Sequence, residues 1–280
     1  MLIEINRILQ IINQGKDTSM AGSSFGTLFK ITTFGESHGK ALGVIVDGCP
    51  AGLSLSEHDI QVFLDRRKPG QTKISTPRKE NDQVEILSGV FEGKTTGTPI
   101  AMMIPNTSQR SSDYGEIAVT YRPGHADFSF DSKFGFRDYR GGGRSSARET
   151  AARVAAGAIA SKILSSMGIH LTAYTRSIGP VSISDDHFDP SAISETSTCM
   201  PDREADARAS AFLAQCMKEH DSAGGVVECV VSGVPAGIGD PVFEKLDAML
   251  SMAVMSIGAV KAVEIGDGIA AASRKGSENN

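Results

Sequence analysis

The sequence predicts an α+β protein built of layered sheets and helices, in preference to a doubly wound parallel sheet. Three observations carry this. Hairpin-like strand pairs and helices are mixed along the chain instead of strictly alternating, which favours α+β layers. One turn occurs twice: Val46-Asp-Gly48-Cys-Pro50-Ala-Gly52-Leu53 is matched by Val231-Ser-Gly233-Val-Pro235-Ala-Gly237-Ile238. Each copy follows a strand and precedes an amphipathic helix. Two turns could draw on the same residues independently, and an ancient duplication of one sheet–helix unit is the preferred reading. Finally, 280 residues at 40% hydrophobic and 22% charged, with 30 Gly and 11 Pro, suit a sizeable core threaded by many tight turns.

The elements follow in order. Residues 1–19 carry a near-helical apolar pattern interrupted by Glu4 and Arg7, with no small-residue cleavage site after it. They read as an N-terminal extension, and Met20 offers a second possible start. Residues 28–34 and 41–46 read as strands joined by the loop Gly35-Glu-Ser-His38-Gly39. Ser56 with Asp59 three residues on resembles a capping box, and Ile60, Phe63 and Leu64 mark the buried face of the helix that follows. Pro69-Gly70 stops it. Residues 84–91 and 100–104 read as strands. Gly141-Gly-Gly143 leads into an Ala-rich helix over about 146–167, closed by Gly168. Residues 182–201 are a polar excursion, and 226–231 a strand. Asp240 before Pro241 predicts the opening of a helix that ends near Gly258.

Charge and composition exclude several classes. Twenty-eight Lys and Arg against 33 Asp and Glu leave −5, so no bulk field draws nucleic acid or an anionic membrane. No apolar run reaches the roughly 18 residues of a membrane helix. Cys49, Cys199, Cys216 and Cys229 show no metal spacing and read as thiols of a reducing cytoplasm.

The residue types that could do chemistry are few. His38, set between glycines in a loop, and His125, in Arg122-Pro-Gly-His-Ala-Asp127, can each exchange a proton near neutral pH. Alone, each could as well be structural. Gly141-Gly-Gly-Arg144-Ser145-Ser146-Ala-Arg148-Glu149-Thr150 is the best anion site, because glycines admit close approach and a helix start offers N–H groups. A turn capped by Ser146 with Glu149 accounts for the serine and the glutamate but not for Arg144. Arg66-Arg67-Lys68, Lys73 and Arg78-Lys79 form a basic stretch, either a solvated face or a lid over a multiply charged anion. Together these residues fit an enzyme acting on a small anionic or phosphorylated substrate.

The motifs taken together resemble the chorismate synthase family. The resemblance rests on Thr33-Phe-Gly-Glu-Ser-His-Gly39, Asp65-Arg-Arg-Lys-Pro-Gly70, Leu87-Ser-Gly-Val-Phe-Glu-Gly93 and Asn106-Thr-Ser-Gln-Arg-Ser-Ser-Asp-Tyr114. It continues through Tyr121-Arg-Pro-Gly-His-Ala-Asp127, the Gly141–Thr150 run and Val263-Glu-Ile-Gly-Asp-Gly268. It implies a β-α-β sandwich with helices packed between antiparallel sheets. It also implies a cytoplasmic homotetrameric lyase that turns 5-enolpyruvylshikimate 3-phosphate into chorismate and phosphate by anti 1,4-elimination. The cofactor implied is reduced FMN, recycled either by NADPH or by a separate flavin reductase, with no nucleic-acid or membrane partner. Residue by residue, His38 matches the histidine that serves the reduced flavin, and His125 the one that protonates departing phosphate. Arg144, Ser145 and Ser146 match one FMN segment, Gly258 and Ala259 a second. Arg67, Lys73 and Arg122 match positions for nucleotide or substrate anions, although Lys73 stands where the family often has arginine.

The family pattern continues beyond Asn280 with Asn-Ala-Gly-Gly, Lys-Pro-Thr and Gly-Arg-His-Asp segments. The expectation is therefore a chorismate synthase-like domain over 20–280, truncated at its C-terminus. The alternative expectation is a non-catalytic flavin- or phosphate-binding remnant.

Overall fold

The computed structural model describes residues 22–68, 80–107 and 118–279. The expected N-terminal extension, Lys73, Arg78-Lys79 and part of the motif after Asn106 lie outside the described residues. The chain forms two compact units, one of Met1–Asp65, Asp82–Ala156 and Pro235–Asn280, the other of Arg66–Asn81 and Gly157–Val234.

In the first unit, β1 (Ser24–Phe25), β2 (Lys30–Phe34), β3 (Ala41–Asp47), β4 (Glu85–Ile86) and β7 (Ile100–Pro105) form a sheet of order β1-β2-β3-β7-β4. Every neighbouring pair is antiparallel. Period-2 alternation sets its inner face. Leu42, Val44 and Val46 are buried and sit directly opposite Ile104, Met102 and Ile100, so cross-strand pairs build the core. Ile45, one residue out of phase, is exposed. Helix α1 (Glu57–Arg67) buries Ile60 and Leu64. Its start is tied by Asp59, whose carboxylate accepts from both the backbone N–H and the hydroxyl of Ser56 at 2.8 Å. Helix α2 (Asp127–Phe134), helix α3 (Thr150–Ser166) and helix α5 (Leu246–Met255) complete the described helices here, although α3 runs on into the second unit.

In the second unit, β8 (His170–Ile178), β9 (Val181–Ser182) and β10 (Gly225–Ser232) pair antiparallel in the order β10-β8-β9. Helix α4 (Arg203–Lys218) starts at Asp202, whose carboxylate accepts from the N–H groups of Glu204, Ala205 and Ser184. Burial pushes that carboxyl up, yet the three backbone bonds outweigh it and hold the pKa below its usual value. Tyr174, Ile183, Met200, Ala205 and Ala209 form the core of this unit. The polar excursion over 182–201 contains two 3-10 turns, Asp185–His187 and Pro190–Ser194.

Three expected elements differ. The run 84–91 is two short strands, β4 and β5 (Val90–Phe91), because Gly89 between them takes φ +81, where an added Cβ would lie 2.6 Å from Ile100 Cγ1 and 2.8 Å from the Pro99 carbonyl oxygen. Strand β5 instead forms a hairpin with β6 (Lys94–Thr95) through Glu92-Gly93, both at positive φ. The helix expected from 146 begins at Thr150, after two 3-10 turns at Gly143–Ser145 and Ala147–Glu149. Asp240-Pro241 does not open a helix. The Asp240 N–H donates to the Glu244 carbonyl, closing a turn, and α5 starts only after Lys245.

The duplicated turn is repeated in space. Gly48 and Gly233 each follow the last residue of a strand at φ +81 and +78. A Cβ on Gly48 would lie 1.7 Å from the Leu28 carbonyl oxygen, and one on Gly233 would lie 2.0 Å from that of Gly168. Leu28 and Gly168 each stand two residues before the strand paired with it, β2 and β8 respectively. Only glycine tolerates either approach.

Candidate active site around His38 and the triple glycine turn

The first unit assembles the site from four stretches distant in sequence. The loop after β2 carries Glu36, Ser37 and His38; Ser37 and His38 are buried. Ser37 Oγ lies 3.1 Å from His38 Nδ1 and donates to the Gly141 carbonyl at 3.3 Å. The turn Gly141–Gly143 has three successive positive φ values, +62, +89 and +54, and packs its first glycine on the imidazole. A Cβ on Gly141 would lie 2.0 Å from His38 Cε1 and 2.1 Å from Nδ1. The glycines therefore serve contact as well as conformation. On Gly142 a Cβ would meet Ser145 Oγ at 3.3 Å, Arg122 Nη2 at 3.7 Å and the Ser146 backbone nitrogen at 3.9 Å. His38 and the Arg122–His125 segment thus approach the same turn.

That segment is held by a cluster of ion pairs and hydrogen bonds. Arg122 donates in a fork to Asp127, Nε to Oδ2 and Nη2 to Oδ1, both at 2.9 Å, and its N–H adds a third bond at 3.1 Å. Arg137 reaches Asp127 Oδ1 at 3.2 Å and Asp131 Oδ2 at 3.0 Å. The Arg122 bonds, joined by Arg137, hold the buried Asp127 carboxyl down at about 2 although burial opposes them. His125 is exposed at the tip of the turn, its Nδ1 3.3 Å from the Pro123 carbonyl. A carbonyl only accepts, so Nδ1 carries the hydrogen and Nε2 is the atom that can take up and deliver a proton.

The Arg144 guanidinium, expected to meet an anion, holds the end of β2. Its Nη2 donates to Thr33 Oγ1 at 2.6 Å and to the Thr33 carbonyl at 3.2 Å, and Nη1 donates to the Gly35 carbonyl at 3.2 Å. Thr33 Oγ1 in turn donates to Glu149 Oε1 at 3.0 Å. Glu149 also takes Arg153 Nε at 2.9 Å, and Arg153 reaches the hydroxyl and carbonyl of Ser256 at 2.6 and 3.2 Å. Through this chain the Gly-rich turn is linked to the end of α5, where Gly258 and Ala259 follow, Ala259 at φ +71. Ser145 is exposed and donates to the Gly142 carbonyl at 2.7 Å; Ser146 caps the second 3-10 turn by accepting from the Arg148 N–H. Arg67 ends α1 and is half-buried, and Lys73 lies outside the described residues.

Sequence reasoning missed a buried network. Arg148 pairs with Asp82 at 2.5 Å, and both are almost fully buried. Its Nε donates to Asn106 Oδ1 at 2.5 Å. The only sequence signal was the presence of Arg148 and Asn106 within quoted motifs; nothing local joins them to residue 82.

The chain is similar over most of its length to proteins of one family. The family model described as chorismate synthase matches residues 29–280. The chorismate synthase of Agathobacter rectalis is 66% identical over 261 residues, covering 93% of this chain and 71% of that protein. The chorismate synthase of Lachnoclostridium phytofermentans is 64% identical over the same shares. A crystal structure of a chorismate synthase superposes with TM-score 0.73 at 34% identity, covering 90% of this chain and 72% of the other.

Proposed function

The chain belongs to the chorismate synthase family, and from that premise we propose how its residues carry out the family reaction. The reaction turns 5-enolpyruvylshikimate 3-phosphate into chorismate: the carbon–oxygen bond to phosphate breaks, a ring proton leaves, and a second ring double bond forms. No atom is oxidised overall. Reduced flavin, FMN in our reading, would supply transient electron density to the substrate when bound, with no net redox change.

The triple glycine turn supports the flavin reading. The bare Gly142 backbone lies beside Ser145 Oγ and the Arg122 guanidinium, two hydrogen-bonding groups of the kind an anionic ligand needs. Tyr121, Phe128 and Tyr139 are exposed in the adjoining segment and offer flat apolar surface to a ring system. Arg144 acts by fixing the turn against β2, and Ser145 and Ser146 supply hydroxyls. Arg153 holds the segment that leads to Gly258 and Ala259.

His38 holds a proton next to this turn. Ser37 orients the ring through Nδ1, which assigns proton transfer to Nε2. His125 donates from Nε2 to the departing phosphate, whose charge an acid must neutralise. Arg122, always charged, stabilises that anion; Arg67 and Lys73 are assigned to nucleotide or substrate anions by the family match alone. The packing of Gly141 on the His38 ring is the observation that carries the assignment. Assembly as a homotetramer is supported by the exposed apolar residues along β10 and α5, among them Val227, Val230 and Met252. We place the protein in the cytoplasm, with NADPH or a separate reductase as the source of reduced flavin. Among the described residues no helix is long and apolar enough to cross a membrane.

The test supplies photoreduced FMN and substrate anaerobically and follows chorismate formation, with His38→Ala beside the parent chain. Turnover by the parent and its loss in the variant is the expected result; a variant as fast as its parent refutes the role of His38.

A further inference from the structure

We propose that Asn106 is the positioning residue for His38, the end of a buried relay that runs from α1 through Asp82 and Arg148 to the histidine loop. The proposal rests on the reading of His38 as a proton-transfer group. Asn106 follows directly on β7. Its Nδ2 donates to the Glu36 carbonyl at 3.0 Å and to the Gly39 carbonyl at 2.8 Å, the two carbonyls that bracket Ser37 and His38. Its own N–H donates to the Lys40 carbonyl at 3.1 Å. One residue thus ties the loop down on both sides of the imidazole.

The orientation of the Asn106 amide is forced. Arg148 has only donors and the loop carbonyls only accept, so Oδ1 faces Arg148 and Nδ2 faces the loop. Arg148 is itself anchored by Asp82 Oδ1 at 2.5 Å and by the Pro105 carbonyl at 3.4 Å. Asp82 is anchored in turn by Gln61 of α1, whose Nε2 donates to the Asp82 carbonyl at 3.3 Å and whose Oε1 accepts from the Val84 N–H at 3.1 Å. A bare turn needs none of this, since Gly39 N–H already closes on the Glu36 carbonyl at 3.0 Å. The added chain fixes where the closed turn sits. It holds the imidazole against Gly141, where a displacement of about 1 Å in a reacting group can cost on the order of 10²-fold in rate.

The test uses Asn106→Asp and Asn106→Ala in the full chain, each alone and combined with His38→Ala. Asn106→Asp keeps an acceptor for Arg148, so the buried pair and the fold survive, but it turns a carboxylate oxygen toward two carbonyls. Both variants are expected to lower kcat by roughly 10- to 100-fold with KM little changed. The NMR resonance of the His38 Cε1–H is expected to shift while that of His125 stays. In the His38→Ala background, neither Asn106 substitution should reduce turnover further. An equal loss in that background, or an unmoved His38 resonance in Asn106→Ala, overturns the proposal. If His38→Ala alone turns over at the parent rate, the proton-transfer reading fails together with the catalytic consequence of Asn106. The His38 resonance then still decides whether Asn106 holds the ring.

Discussion

Placing one methyl group on the triple glycine turn tests the geometry of the site directly. In Gly141→Ala the new Cβ would sit 2.0 Å from His38 Cε1 and 2.1 Å from Nδ1, far inside any real carbon contact, and neither ring atom belongs to a flexible chain end. Two costs add. An L-residue at φ +62 is strained by roughly 1–2 kcal/mol, and overpacking against a buried ring costs about 1–3 kcal/mol. The sum, about 2–5 kcal/mol, corresponds to a fall in Tm of about 4–20 °C for a chain of this size. Gly93→Ala separates the two terms. Gly93 has φ +73 and nothing within 4 Å of its added Cβ, so it carries the strain alone and should lose about 2–8 °C. Thermal unfolding of both variants reads the difference, and turnover with photoreduced FMN reads its consequence. Gly93→Ala should keep its rate, whereas Gly141→Ala, with the ring displaced, should lose about 10²-fold. If Gly141→Ala is no less stable than Gly93→Ala and turns over at the parent rate, the packing of the turn on His38 has no part in the site.

Two further outcomes follow from the same unit. His125→Ala should reduce turnover by about 10²–10⁴-fold, the usual size of general acid help, with substrate affinity nearly kept; rapid-quench and binding measurements check it, and an unaltered rate at neutral pH removes His125 from the mechanism. The Asp127 carboxyl, held at about 2 by Arg122, has a folded pKa below its unfolded one, so its contribution is present above about pH 4 and lost as pH falls toward 2. That contribution is about 2 kcal/mol, and in Arg122→Ala the acid limb of a stability-against-pH curve should move to higher pH; an unmoved limb contradicts the pairing.

Much of the fold was legible because its signals are local. The alternation of Leu42, Val44 and Val46, and of Ile100, Met102 and Ile104, marks two central strands with one buried face. Ser56 and Asp59 mark a helix start, and the repeated Gly-x-Pro-Ala-Gly turn marks two equivalent corners. The errors came where a local signal lost to a specific contact. Residues 84–91 are apolar enough for one strand, but the close approach of Gly89 to Ile100 divides them. Asp240-Pro241 has the residues of a helix start, but the Asp240–Glu244 bond uses them in a turn. Strand β8 and helix α4 passed unread. Within the site, His38, His125 and the glycine turn announce themselves by residue type and by a family resemblance. Asn106, Arg148 and Asp82 do not, since the bonds that join them span 42 and 66 residues, beyond any periodicity. The charge of Arg144 is likewise visible in the sequence, and the carbonyls of Thr33 and Gly35 that it holds are not.

The twin corners at Gly48 and Gly233 have a kinetic consequence. They are the same contact closed over chains of very different length, 48 − 28 = 20 residues between Leu28 and Gly48 and 233 − 168 = 65 between Gly168 and Gly233. The longer closure costs about 1 kcal/mol more in chain entropy, and its return comes only once the excursion that carries α4 has packed Met200, Ala205 and Ala209 against Tyr174. Folding should therefore be ordered in time, the β2–β3 corner first and the β8–β10 corner after it. Pulse-labelled hydrogen exchange during refolding should find amides of Lys30–Phe34 and Ala41–Asp47 protected before those of Gly225–Ser232, and simultaneous protection would mean that loop length does not set the order. The two corners would then be alike in form and unlike in when they form, the later one being the corner that closes the longer chain.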